Sequence, residues 1–146
     1  MKKISAILFV ALALAMVLPA CKKYEDGPTI SLRSKKSRVV NKWAVDKVFN
    51  DGVDITATYL SYQQGFRIEF KDDGTFLQSW LQGNVNVNFT GDWKFNSDKT
   101  GLILTENGVD TEVTILRLKN DELWIKETYT SGGQQDILET HYITAE

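Results

Sequence analysis

The sequence predicts an all-β domain over residues 39–146, an eight-stranded antiparallel up-and-down β-barrel. Three observations predict it. From Val39 onward the chain is rich in β-branched and aromatic residues and broken by turn signals roughly every 8–12 positions. Apolar side chains recur there with a period of two, most clearly Val85, Val87, Phe89, Trp93 and Phe95 against Asn86, Asn88, Asp92 and Lys94. The connections are mostly tight, so successive strands become antiparallel neighbours, and closing the meander removes its unpaired edges. The whole chain, 146 residues with 42% hydrophobic and 25% charged, has a globular composition and the length of one domain. That composition excludes a collagen-like, coiled-coil, disulfide-scaffold or wholly disordered protein.

The chain begins with a different kind of sequence. Sixteen of the first 20 residues are hydrophobic. Lys2 and Lys3 precede an apolar run, Ile4 to Val17, whose only polar member is Ser5. The run is shorter than the ~20 residues a spanning helix needs. A charged start followed by a short apolar core is the pattern of a secretory signal peptide, expected over residues 1–20. Leu18-Pro19-Ala20-Cys21 resembles the lipobox of bacterial lipoproteins, with an aliphatic residue three before the Cys and a small one just before it. The resemblance implies that the Cys21 thiol receives a diacylglycerol, that the leader is cut before it, and that the new amino terminus is acylated. Each buried CH₂ contributes about 0.8 kcal/mol, and two or more chains hold firmly where one holds marginally. The alternative is a plain exported protein with a cysteine near its new N-terminus. Cys21 is the sole cysteine, so no intramolecular disulfide is expected.

Residues 21–38 follow as the lipidated Cys and a flexible tether. Lys22 to Arg38 shows neither helical nor alternating periodicity, and Gly27-Pro28 is a breaker. Arg33, Lys35, Lys36 and Arg38 either lie on anionic head groups or form a solvated run that keeps the spacer extended. Cys21-Lys22-Lys23-Tyr24-Glu25-Asp26-Gly27-Pro28, then Ser31-Leu32-Arg33-Ser34-Lys35-Lys36 and a Trp-led strand, resembles a family of small lipocalin-like lipoproteins from Bacteroidota-type Gram-negative bacteria. The resemblance covers nearly the whole chain. It implies a lipocalin-like barrel held by its acyl anchor at the outer membrane, on the periplasmic face or the cell surface. It implies no reaction.

The strands are read in order. Trp43 and Val45 alternate in the first, Val39 to Phe49, which closes on Asn50-Asp51-Gly52. The link from Val53 to Gln64 is too long for a hairpin turn, and Asp54 is placed to cap a short helix through Ala57–Tyr62. Phe66, Ile68 and Phe70 alternate with Arg67 and Glu69 and end at Asp72-Asp73-Gly74. Thr75 to Gln82 turns at Gly83-Asn84 into the run from Val85 to Phe95. Gly101 to Glu106 and Val109 to Leu118 flank Asn107-Gly108, a strong hairpin signal because both residues tolerate positive φ. A parity slip between Ile115 and Leu118 predicts a bulge. Glu122 to Thr130 and Gln135 to Thr144, separated by Ser131-Gly132-Gly133, complete the eight.

Catalytic chemistry has little footing here. His141 is the lone histidine, and neither a Gly-x-Ser-x-Gly elbow nor a His-Glu-x-x-His pair occurs. A zinc site needs several His or Cys ligands. Asp72-Asp73-Gly74 and Asp51-Gly52-Val53-Asp54 read as turns, lacking the spaced oxygens of a calcium loop. No catalytic residue, metal or cofactor is assigned. Nucleic acid is not an expected partner, because the chain beyond Cys21 carries 15 basic and 19 acidic residues.

Two binding roles remain open. An eight-stranded barrel is just wide enough to be filled by side chains or to hold one small ligand. Phe66, Ile68, Phe70, Phe76, Trp80, Val85, Val87, Phe89, Trp93, Phe95 and Ile115 are candidates for the interior. So many large residues favour a filled interior or a narrow end pocket over a deep cup. In lipocalins the link between the first two strands forms a lid over the mouth. By that analogy Tyr59, Leu60 and Tyr62, with Trp80, would contact a small apolar or aromatic ligand, or else plug the barrel end. Leu77, Leu81 and Trp124 have the outward parity and are candidates for docking an envelope protein or glycan, or for cover by neighbouring segments.

Overall fold

The computed structural model describes residues 33–146. The expected leader, Cys21 and the tether as far as Leu32 lie outside the described residues. Within the described ones, helix α1 (Lys35–Val39) leads into strand β1 (Asn41–Asn50), a two-residue strand β2 (Val53–Asp54) and helix α2 (Thr56–Tyr62). Seven strands follow: β3 (Gln64–Phe70), β4 (Thr75–Gln82), β5 (Val85–Phe95), β6 (Gly101–Glu106), β7 (Val109–Leu118), β8 (Glu122–Ser131) and β9 (Gln134–Thr144).

Every long strand pairs antiparallel with the next, and β1 also pairs with β9, from Trp43 opposite Thr144 to Asn50 opposite Leu138. The sheet is therefore a closed eight-stranded up-and-down barrel. The extra strand β2 is only a ribbon folded back on the end of β1. Its Asp51-Gly52 turn has φ of 48° and 79°, the paired positive values of a tight hairpin. Asn107-Gly108 behaves the same way, with φ of 50° and 79°. The bulge expected in β7 falls between Ile115 and Arg117, where Ile115 faces Ile125 and Arg117 already faces Trp124.

The connections sort into two ends. The hairpins after β4, β6 and β8, with the β1–α2 segment, form one end. The turns after β3, β5 and β7, with α1, form the other. At the second end Trp43, Phe70, Phe76, Trp93, Leu102, Leu118 and Leu123 fill the interior. Phe70 meets the edge of Trp93 at a centroid distance of 5.5 Å. Such rings bury large apolar areas, and their burial is the main drive for closing the barrel.

The structure differs from the expected tether at its last residues. Lys35–Val39 is helical, with the Ser34 side chain accepting from the Ser37 N–H, and its C-terminal side caps the closed end. Val39 is fully buried and its carbonyl accepts from the Trp43 indole N–H at 2.9 Å. Arg38 is 7% exposed and its guanidinium donates to the Leu118 carbonyl at 2.6 Å. Lys36 pairs with Asp72 at 2.9 Å. Thus Arg38 is neither a head-group ligand nor a solvated spacer residue, because it satisfies a strand carbonyl that the barrel end would otherwise leave unpaired.

Candidate functional site

At the end opposite α1 the interior is open. A cavity of about 440 Å³ lies between α2 and the inner faces of β3, β4, β6, β7, β8 and β9. Period-two alternation explains its walls. Phe66 and Ile68 enter from β3, Gln78 and Trp80 from β4, Leu104 and Glu106 from β6, and Thr111 and Val113 from β7. Ile125 and Glu127 come from β8, and Leu138, Thr140 and Tyr142 from β9.

Helix α2 overhangs the cavity. Asp54 lies two residues ahead of the helix's first residue, and its carboxylate accepts from the Thr56 N–H at 2.9 Å. The N-cap position itself falls on Ile55 and has no side-chain cap hydrogen bond, so Asp54 shapes the turn leading into the helix and is not the cap expected of it. Thr56 then ties the helix to the barrel: its hydroxyl oxygen accepts from the Val48 N–H at 2.9 Å. That anchorage turns Tyr59 and, one helical turn later, Gln63 onto the cavity. Tyr59 meets Phe66 edge-on at 6.1 Å, and Phe66 stacks on Trp80 at 5.7 Å and lies 6.5 Å from Tyr142. Trp80 in turn stacks on Phe89 at 5.5 Å and 15°.

Of the four residues expected to face a ligand, Tyr59 and Trp80 line the cavity. Leu60 and Tyr62 do not, and Tyr62 is 70% exposed. A helix this short presents only one face inward, and Tyr59 holds it, with Gln63 at the C-cap four residues on. The interior candidates also divide. Phe66, Ile68, Phe70, Phe76, Trp93 and Ile115 are buried, whereas Val85 and Phe89 are exposed. They carry the inward parity but sit at the open end, where Phe89 is covered in part by the Trp80 ring stacked on it.

Sequence reasoning missed the polar lining: Gln63, Gln78, Glu106, Thr111, Glu127 and Thr140. For Glu127 a signal existed, since it shares the inward parity of Leu123 and Ile125. Burial holds its carboxyl above the usual carboxylate range. Burial likewise pushes the Tyr59 phenol up to about 12, with the Glu127 charge adding to the effect. The Tyr142 phenol is raised by burial first, then by Tyr59 and Glu127. Both phenols are therefore protonated donors at neutral pH.

The outward residues behave differently. Trp124 is half-buried: the His141 ring stacks on it at 3.9 Å and 4°, and the Arg117 guanidinium lies 4.4 Å above it. Glu139 holds His141 at 2.6 Å, Phe49 covers the imidazole from β1, and Glu122 pairs with Arg117. Leu77 is half-buried between Glu69 and Thr90, and Leu81 is 40% exposed. The three do not form one patch. Among the described residues no group of three or more His, Cys, Asp or Glu side chains could hold a metal ion, and no helix is long and apolar enough to cross a membrane.

No protein-family model and no curated protein matches the sequence. Solved structures do share the architecture. Insecticyanin from the tobacco hornworm Manduca sexta aligns with a TM-score of 0.60 at 12% identity, over 84% of this chain and 68% of that one. Bovine odorant binding protein complexed with its natural ligand aligns with a TM-score of 0.52 at 13% identity, over 80% and 77%. The same bovine protein in complex with undecanal gives 0.51 at 13%, over 80% and 77%. These are lipocalin-fold proteins, and the likeness is one of fold.

Proposed function

We propose that this lipocalin-like barrel is a binding protein for a small apolar or aromatic molecule, held in the open half of the barrel beneath α2. The reading extends to the whole chain: a lipoprotein of the Bacteroidota type, anchored at the outer membrane through acyl groups on Cys21. The observation that carries the binding reading is the cavity itself. Its volume of about 440 Å³ falls within the range of small-molecule sites. Its walls combine apolar and aromatic side chains with a few polar groups, the composition such sites show. Bovine odorant binding protein, which shares the fold, has been captured with a natural ligand and with undecanal. The anchor rests on the Leu18-Pro19-Ala20-Cys21 resemblance and on the position of the sole cysteine where the leader ends.

Native mass spectrometry of the protein purified without its acyl anchor tests the first part. A stoichiometric added mass, or saturable uptake of the neutral fluorophore N-phenyl-1-naphthylamine, is the expected result. Absence of both would refute the binding reading. Trp80→Ala removes a cavity wall and should weaken uptake of the fluorophore by about tenfold, corresponding to roughly 1.4 kcal/mol. For the anchor, labelled palmitate should enter the wild-type chain and not Cys21→Ala. Equal labelling of both would reject the assignment.

A further inference from the structure

The cavity has a sign. Its lining holds two carboxylates, Glu106 on β6 and Glu127 on β8, and neither a lysine, an arginine nor a histidine. Among the described residues no ion pair joins either carboxylate to a cation of the chain. The Gln63 side-chain oxygen, facing the same space from the residue just after α2, is shielded from solvent and has no hydrogen-bond partner. A buried acceptor without a donor is costly unless something supplies one. Around these acceptors stand the rings of Tyr59, Phe66, Trp80 and Tyr142. Aromatic faces beside a half-buried carboxylate are a combination that attracts organic cations, through ring quadrupole and charge together.

We propose that the preferred occupant is an amphiphilic amine, a protonated ammonium head on an aromatic or apolar body. Its head sits at Glu127 with Gln63 as a second acceptor, and its body lies against Phe66 and Trp80. This rests on the reading of the cavity as a ligand site and narrows the ligand class. The other groups facing Glu127 agree with it. Tyr59 from α2 and Tyr142 from β9 remain neutral, Leu138 and Thr140 of β9 carry no charge, and Glu106 adds a second negative charge elsewhere on the same lining. Nothing in the lining would neutralise a ligand carboxylate, so the same walls disfavour fatty-acid-like anions.

A matched series tests the charge alone: 4-phenylbutylamine, 4-phenylbutanol and 4-phenylbutyrate, titrated calorimetrically into the full-length wild-type protein at neutral pH. The amine should bind at least tenfold more tightly than the alcohol, and the carboxylate most weakly. In Glu127→Gln the preference for amine over alcohol should shrink to within about twofold. A carboxylate that binds as well as the amine overturns the proposal. So does an amine preference that survives in a folded Glu127→Gln protein; if that variant does not fold, the wild-type series decides by itself. Binding of the alcohol and of N-phenyl-1-naphthylamine with no advantage for the amine defeats only this inference. Failure of all three ligands and of the neutral fluorophore defeats the cavity reading with it.

Discussion

Gly91 shows how tightly a single position constrains the barrel. A Cβ there would run into the Thr105 carbonyl and into the ring of Phe76, its cross-strand partner on β4. Gly91→Ala should therefore destabilise the protein by about 1–3 kcal/mol, read as a lower urea midpoint at unchanged m-value. An unaltered midpoint would contradict the packing described. Glu127 makes the opposite prediction. Burial raises its carboxyl in the folded state, so the folded protein binds that proton more tightly than the unfolded chain does. Stability is thus lost as pH rises from the ordinary carboxylate value through the raised one. Glu127→Gln should melt higher than wild type at about pH 7.5, with the gain vanishing near about pH 3, where the Glu127 carboxyl is protonated in the folded and the unfolded chain alike. A Gln variant that melts lower at neutral pH would mean the charge is compensated. At this scale alternation made the inward set legible from Phe66 to Phe95. It did not mark which inward residues are polar by design, because period two carries no information on what stands across the barrel.

The elements divide by what stabilises them. Hairpins were legible because their chemistry is local: Asn107-Gly108 needs only its own two residues to adopt positive φ. Helix α1 was not. Lys35-Lys36-Ser37-Arg38-Val39 has no apolar face of its own, and five residues are too few for a helix to persist alone in water. It exists because Val39 inserts into the core and Arg38 reaches Leu118. Arg38→Ala should leave the Leu118 carbonyl without its donor and cost about 1–3 kcal/mol. The thermal midpoint reports it, and loss of the Val39 contact beside Trp43 should accompany it as a red shift in tryptophan emission. A variant with wild-type melting would make α1 an ornament of the barrel end. Helix α2 was legible as an element through the length of the link, whereas its N-cap falls on Ile55 and not on Asp54. Which of its side chains faces inward depends on the Thr56 contact with Val48, which only the closed barrel supplies.

For the whole molecule the governing feature is an axial gradient. Side chains of one parity run from fully buried at the α1 end to exposed at the α2 end, as Trp93, Phe89 and Val85 on β5 illustrate. Local opening follows the density of buried apolar contact. Amide exchange should therefore be slowest around Leu102, Val113–Leu118 and Leu123, and much faster over Leu81–Phe89 and the β8–β9 hairpin. Uniform protection along the strands would argue against a half-filled interior. Closure of the sheet was legible from tight turns and the wish to remove edges, whereas the half-filled interior was not. Parity reports in or out, and depth along the barrel axis emerges only after the register of all eight strands is set.

That axis also sorts the two ends of the described domain. Helix α1 reaches the barrel at the sealed pole, and near the other terminus the Ala145 N–H donates to the Lys42 carbonyl there, at 2.8 Å. Among the described residues the mouth is built from internal connections. A bead, electrode or sensor surface coupled at either end of the domain would thus grip the sealed pole and leave the entrance turned toward the sample. Immobilisation and molecular uptake would then not compete for the same face.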